Sequence, residues 1–359
     1  MIVKAVNGPV TVRKLDVVNR IYPFDVAGEF ESSDPFLNEL WKRSVFTVGL
    51  CSEDGYTDCT ARERTEWMGD AAIIEYPLTR VAFATGSEQG QRRSGDPSLI
   101  ANMLDHIALS QQADGRLKAH HPSNRWDIHG YIEDYACLWT QTLSQYYDNT
   151  LDDGFVRREW PALVRQMAWF LEHRTESGLV KARDFVFFDN PLSYKVCEST
   201  TLNAIVASAM SHAAYLANVI GDGSAASTYK RASQELAKRI NELLWNEAEG
   251  TYDAGIVEGK KAEPTAHSAT LALYGDVVPE ERRASTLKWL AAHLGQIGSP
   301  FSHHYLFEAL YRADAPDLDL AALKIMRERW KSTLDRRDLD TVFEGFGGPS
   351  LCHNAGASP

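Results

Sequence analysis

From Asp34 to about residue 334, apolar residues return at helical spacing in one segment after another, and few folds accommodate that pattern. Asp34-Pro35 reads as a helix cap followed by proline at the first helical position, and Phe36, Leu37, Leu40, Trp41, Val45 and Val48 then recur. The spacing predicts further helices at about 69–83, from 96 onward, and at 131–147, 152–173, 201–220, 223–247, 265–274, 279–294, 300–313 and 317–334. A twelfth would begin at Ser350. The helices fall in consecutive pairs with alternating short and long connections, and short connections make sequential helices antiparallel neighbours. No exact repeat is present, which argues against a solenoid of strict period. The expectation is therefore an all-α closed ring of helical hairpins. Its inner helices would be apolar all round, and the long connections 52–68, 117–130, 178–197, 250–264 and 338–349 would gather at one end.

Residues 1–33 read differently. Val10 to Val12 and Val17 to Ile21 are short and β-branched, and Pro9, Pro23, Gly28 and Ser32-Ser33 punctuate them. They are too few for an independent β domain and are expected to lead in from one upstream. The division is thus 1–33 as a β segment and 34–359 as the helical ring, with its last helix cut short at Pro359.

Composition narrows the function classes. A net charge of -12, with no basic cluster longer than Arg92-Arg93 or Arg336-Arg337, argues against nucleic-acid and anionic-membrane partners. The five cysteines show no metal-ligand spacing and read as reduced thiols, so neither a metal nor another cofactor is expected. No signal peptide follows Met1, and no apolar run approaches the ~18 residues of a membrane span. A cytoplasmic protein is expected, or a secreted one if the chain is part of something longer. The oligomeric state is left open.

One stretch stands out chemically. Asp58 to Asp70 holds four acids, two arginines and Trp67 within thirteen residues, between two apolar segments. A solvated loop would gain little from a tryptophan, and acids so close, with arginines beside Glu63, should titrate as a coupled set. Elsewhere, Asp134 and Asp189 are candidate pocket residues, and His120, His121 and His129 share a polar loop. The pair His303-His304 lacks further ligands at metal spacing and reads as packing.

Asp58-Cys59-x-x-Arg62-Glu63-x-x-x-Trp67-x-Gly69-Asp70 resembles the signature of the α-L-rhamnosidases of glycoside hydrolase family 78. Segments in matching order are Tyr22-Pro23 through Asn38, Ile132-x-Asp134-Tyr135-x-x-Leu138-Trp139, Thr341-Val342-Phe343-Glu344, and Ser350-Leu351-Cys352-His353. The resemblance implies an (α/α)6 barrel that removes terminal α-L-rhamnose with inversion. By position, Glu63 matches the general acid and Glu344 the general base; Asp58, Arg62, Trp67, Asp70 and His353 match residues lining the sugar pocket. The chain departs from the family at Thr60, where many members carry proline, at Phe343 in place of tryptophan, and at Asn190 after Asp189. The last change points to a more polar pocket wall.

The chemistry supports the same pair independently. Inversion needs one protonated carboxyl at the glycosidic oxygen and an ionised one across the sugar, about 6.5–9.5 Å away, to activate water. Acids from one loop would tend to lie on one side, whereas Glu344, brought round by ring closure, can reach the other. Two alternatives stay open at this stage: a six-hairpin hydrolase for another deoxy sugar or a uronic acid, and a sugar-binding remnant without catalysis.

Overall fold

Helix α1 (Pro35–Cys51) starts where its cap places it: the Asp34 carboxylate accepts from the Phe36 N–H at 3.0 Å, and Pro35 stands in the first turn. The structure, a computed structural model, describes residues 7–347 and 358–359, less 9, 17, 61, 86–92, 123–129, 189–191 and 194. After α1 come α2 (Met68–Asp70), a π turn (Ala71–Glu75) and α3 (Tyr76–Ala82), which run on as one rod. Then follow α4 (Ser98–Leu109), α5 (Glu133–Thr150), α6 (Asp153–Glu172), α7 (Thr200–Val219), α8 (Gly223–Leu243) and α9 (Ala266–Tyr274). The series ends with α10 (Glu280–His293), α11 (Pro300–Tyr311) and α12 (Pro316–Asp335).

Two classes of helix alternate, as the pattern requires. In α7 every residue from Thr200 to Ala207 is buried, so the helix is covered on all sides. Its partner α8 buries only Ala226, Tyr229, Ala232, Leu236 and Ile240, a single stripe at helical spacing. The rod α2–α3 and helices α5, α7, α9 and α11 form the inner layer, each packed on the next; α1, α4, α6, α8, α10 and α12 form the outer layer. The ring closes where α12 meets α1. There the buried Arg43 donates to Thr333 O at 2.8 Å and Arg336 O at 3.2 Å, a cation at the negative end of α12.

Two small sheets decorate the ring. Strands β1 (Asp25–Val26), β2 (Phe83–Thr85) and β3 (Arg93–Ser94) form one in that order. Neither strand expected at 10–12 and 17–21 forms among the described residues; the strand found within 1–33 is β1, further along the chain. Val10, Val12 and Leu15 are exposed with no neighbouring strand to complete a ladder, so their β-propensity goes unused. The connection expected over 250–264 is a hairpin, β6 (Thr251–Val257) with β7 (Lys260–Pro264), flanked by β4 (Glu198–Ser199) and β5 (Trp245–Asn246). Glu258 and Gly259 both take positive φ at its tip (50° and 77°), the tight-turn geometry that matches strand twist.

Candidate active site

The connections 52–67, 110–132, 173–199, 244–265 and 294–299 each lead from an outer helix to the N-terminus of an inner one. The positive poles of the inner helices therefore point into the end of the ring where these loops gather. Acids are favoured there. Asp70 occupies the first turn of α2, and Glu133 and Asp134 that of α5.

The loop 52–67 folds back on itself. Asp58 N–H donates to Thr65 O at 3.2 Å, and the fully buried Asp58 carboxylate accepts from Thr65 N–H at 2.8 Å. Arg64 takes a φ of 50°, and its guanidinium pairs with Glu53 rather than with the other acids. Glu63 accepts from Trp67 Nε1–H on Oε2 at 2.8 Å and from Arg62 on Oε1 at 3.0 Å, with only 9% of its side chain exposed. Glu66 is drawn away to His106 Nδ1 at 3.0 Å, and burial raises its carboxyl.

Trp67 is fixed from behind. Met68 N–H donates to Ala119 O at 2.9 Å, and Trp67 faces His120 across an antiparallel bridge. The indole meets the His120 ring at 4.3 Å and Tyr135 edge-on at 6.1 Å, and it is 6% exposed. Sequence reasoning assigned this ring to the sugar; the structure gives its N–H to Glu63 and leaves little face open. Gly69 has a steric reason: a Cβ there would stand 2.2 Å from the Tyr135 ring. Tyr135 ties the cluster together. Burial, followed by the charges of Asp70, Asp134, Glu63 and Asp58, pushes its phenol far up, so all four carboxylates lie within electrostatic reach of one hydroxyl.

A second pair of acids staples the next loop. Glu133 Oε1 accepts from the N–H groups of Arg183 at 2.7 Å and Asp184 at 3.2 Å. Asp134 accepts from Phe187 N–H at 3.0 Å and Phe188 N–H at 3.3 Å. Burial pushes both carboxyls up to about 7. The loop so held brings Phe187 against Tyr135 and Phe301, with ring centroids 5.6 Å and 4.7 Å away. Phe187 and Glu133 were not singled out from the sequence. Adjacent acids at a predicted helix start were the available signal, since such acids cap loops as readily as they bind ligands.

Glu344 arrives from the far end of the chain. Val342 N–H donates to Thr47 Oγ1 at 3.0 Å, on the last turns of α1, just before the loop that carries Glu63 begins. Val342 and Phe343 are buried, Glu344 is half-buried, and Phe346 packs on Trp330 at 4.8 Å. Both acid-bearing loops thus hang from the same end of α1. Asp189 and His353 lie outside the described residues. His303 gives Nδ1 to Ser299 O at 2.7 Å within an aromatic box of Phe307, Trp330 and Phe346, the packing role expected of it. Among the described residues, no group of three or more His, Cys, Asp or Glu is placed to hold a metal. An apolar groove of about 750 Å³ beside α1, lined by Phe24, Trp41 and Phe46, includes none of the clustered acids.

Comparison with known proteins adds the family. Residues 25–358 match the family described as the bacterial alpha-L-rhamnosidase 6 hairpin glycosidase domain. The fold is similar to the GH78 family rhamnosidase of Bacillus sp. GL1, at 26% identity and a TM-score of 0.83 over 94% of this chain and 36% of that one. It is similar to the rhamnosidase from Klebsiella oxytoca with rhamnose bound, at 21% identity and 0.75 over 91% and 63%. The GH63 mannosylglycerate hydrolase from Thermus thermophilus shares the fold at 14% identity and 0.63, over 88% of this chain and 98% of that one. The chain spans about a third of the Bacillus protein's length. No curated protein matches it.

Proposed function

The chain belongs to the bacterial alpha-L-rhamnosidase 6 hairpin glycosidase family, and from that premise we propose that it hydrolyses terminal α-L-rhamnosyl residues of glycosides with inversion. One observation carries the reading: two acids remote in sequence, Glu63 and Glu344, sit on loops anchored to the same end of α1. A reaction needing a carboxyl on each face of one sugar requires two remote acids to converge on one end of the ring, and this convergence supports the pair.

In this reading Glu63 gives its proton to the glycosidic oxygen as the bond to the anomeric carbon breaks. Glu344 takes a proton from water, whose oxygen bonds to that carbon from the opposite side. The sugar leaves with inverted configuration, and proton exchange with solvent restores both acids. Trp67 Nε1–H holds Oε2 of Glu63, so the proton is carried on Oε1, from which Arg62 turns to the sugar when substrate binds. Arg62, whose side chain is largely exposed, holds sugar hydroxyls, with Asp189 and His353 as further contacts, while the buried Asp58 and Asp70 back the pocket wall. That the Bacillus and Klebsiella relatives are rhamnosidases supports rhamnose as the sugar.

Leaving-group dependence tests the two roles. Glu63→Gln should lose far more rate on an alkyl rhamnoside than on a dinitrophenyl rhamnoside, whose leaving group needs no proton. Glu344→Gln should lose comparably on both. Equal losses in Glu63→Gln, or full activity in either variant, contradict the assignment.

A further inference from the structure

Along the loop held by Glu133 and Asp134, the protein departs from its own charge. The chain as a whole is acidic, at -12, yet a pocket of about 600 Å³ is lined by Arg116, Arg174, Lys181 and Arg183 against only Glu172 and Asp184. Such a volume suits one sugar ring.

The local fold explains how the cations converge. Residues 173–181 form a tight hairpin: Thr175 N–H donates to Leu179 O at 2.8 Å, Arg174 pairs with Val180, and Lys181 N–H reaches His173 O at 3.4 Å. Beyond the hairpin the chain is extended, and side chains alternate. Ala182 is buried, its N–H on Cys197 O at 2.9 Å, while Lys181 and Arg183 are exposed on the opposite side.

The floor is preorganised. The Arg116 guanidinium lies 4.3 Å over the Tyr131 ring and bridges Asp114 and Asp184 at 2.9 Å each. His173 stacks on Trp169 at 4.1 Å with its Nδ1 on Trp169 O, which leaves Nε2 for the pocket. Arg174 is partly spent on Ala232 O and Glu235. Lys181 and Arg183 form no ion pair among the described residues, so two cations are left for a ligand. Arg183 stands four residues from Phe187, whose ring packs on Tyr135 beside Trp67.

We propose that this pocket binds an anionic sugar, a uronate or a sulfated residue, in the part of the substrate that follows the cleaved rhamnose. The proposal rests on the glycosidase reading for its role in catalysis, but not for the binding itself. Charge-assisted hydrogen bonds from Lys181 and Arg183 to a carboxylate or sulfate ester supply the recognition.

The test compares a rhamnosyl glucuronate disaccharide with its glucose counterpart, using the full chain and the variant Lys181→Glu/Arg183→Glu. At low salt the wild type should favour the glucuronate by about tenfold in kcat/KM, and the variant should lose that preference while keeping its rate on a neutral aryl rhamnoside. Equal kcat/KM for the two disaccharides in the wild type overturns the proposal, as does an equal loss on all substrates in the variant. Calorimetry with glucuronate-bearing oligosaccharide separates the two readings. Binding that the variant loses supports the pocket even if no rhamnoside is cleaved. Inorganic sulfate binding as tightly as the saccharide overturns it in favour of a plain anion site.

Discussion

The two loops that carry the proposed catalytic acids are built in opposite ways. The early loop holds its acid directly: Asp58 and Thr65 clasp each other through two hydrogen bonds, and both oxygens of Glu63 have donors from Trp67 and Arg62. The late loop is held through its neighbours, by Val342 N–H on Thr47, by the buried ring of Phe343 and by the half-buried Phe346 on Trp330, with Glu344 half-buried between them. The difference fits the two tasks. A proton donor must present one oxygen at a fixed place, which a hydrogen-bonded indole does. A base that works through water needs a fixed backbone but room beside its carboxylate.

Substitutions along each loop should break this comparison in graded steps. The largest effect is expected from Glu63→Gln and Glu344→Gln, each lowering kcat by about 10²–10⁴-fold on an unactivated rhamnoside. Trp67→Phe keeps the ring but removes the N–H on Glu63; steady-state kinetics should show kcat down roughly tenfold or more, with the acidic group's ionisation moved in the pH profile. A smaller effect is expected from Thr47→Val, which leaves the buried Val342 N–H without its acceptor. Thermal denaturation should show a loss of about 1–3 kcal/mol, and kcat should fall a few-fold because the backbone before Glu344 is loosened. If Thr47→Val hurts kcat more than Trp67→Phe does, the contrast between direct and indirect holding is wrong.

The smallest effect concerns pH. Burial raises Asp134 from 3.8 to about 7, so the folded chain binds a proton that the unfolded chain has released. Stability from this group is full below about pH 4 and is lost as pH rises through about 7. Denaturant melts of wild type and Asp134→Asn should therefore shift relative to each other in the variant's favour across that window. A constant difference would show that Asp134 is ionised throughout.

Much of the ring was legible because helical periodicity is a local signal. The cap at Asp34 and the apolar stripe of α8 fixed those helices within a few residues. The acid loop was legible too, since Asp58, Glu63 and Asp70 fall in one short stretch. What the sequence hid was pairing across distance. Nothing local says that Thr47 will meet Val342, that Glu133 Oε1 and the Asp134 carboxylate will be spent on backbone N–H groups of 183–188, or that Trp67 will serve Glu63. The hairpin at 251–264 was missed because its turn, Glu258-Gly259, puts a non-glycine residue at positive φ. Val10, Val12 and Val18 show the converse, a β-rich composition exposed without a partner strand among the described residues.

The central claim is that Glu63 and Glu344 act from opposite faces of one sugar. Proton NMR of an aryl α-L-rhamnoside during the first turnovers tests it most directly. The β-anomer of rhamnose should appear first and the α-anomer only later by mutarotation; α-rhamnose as the first product would contradict the account.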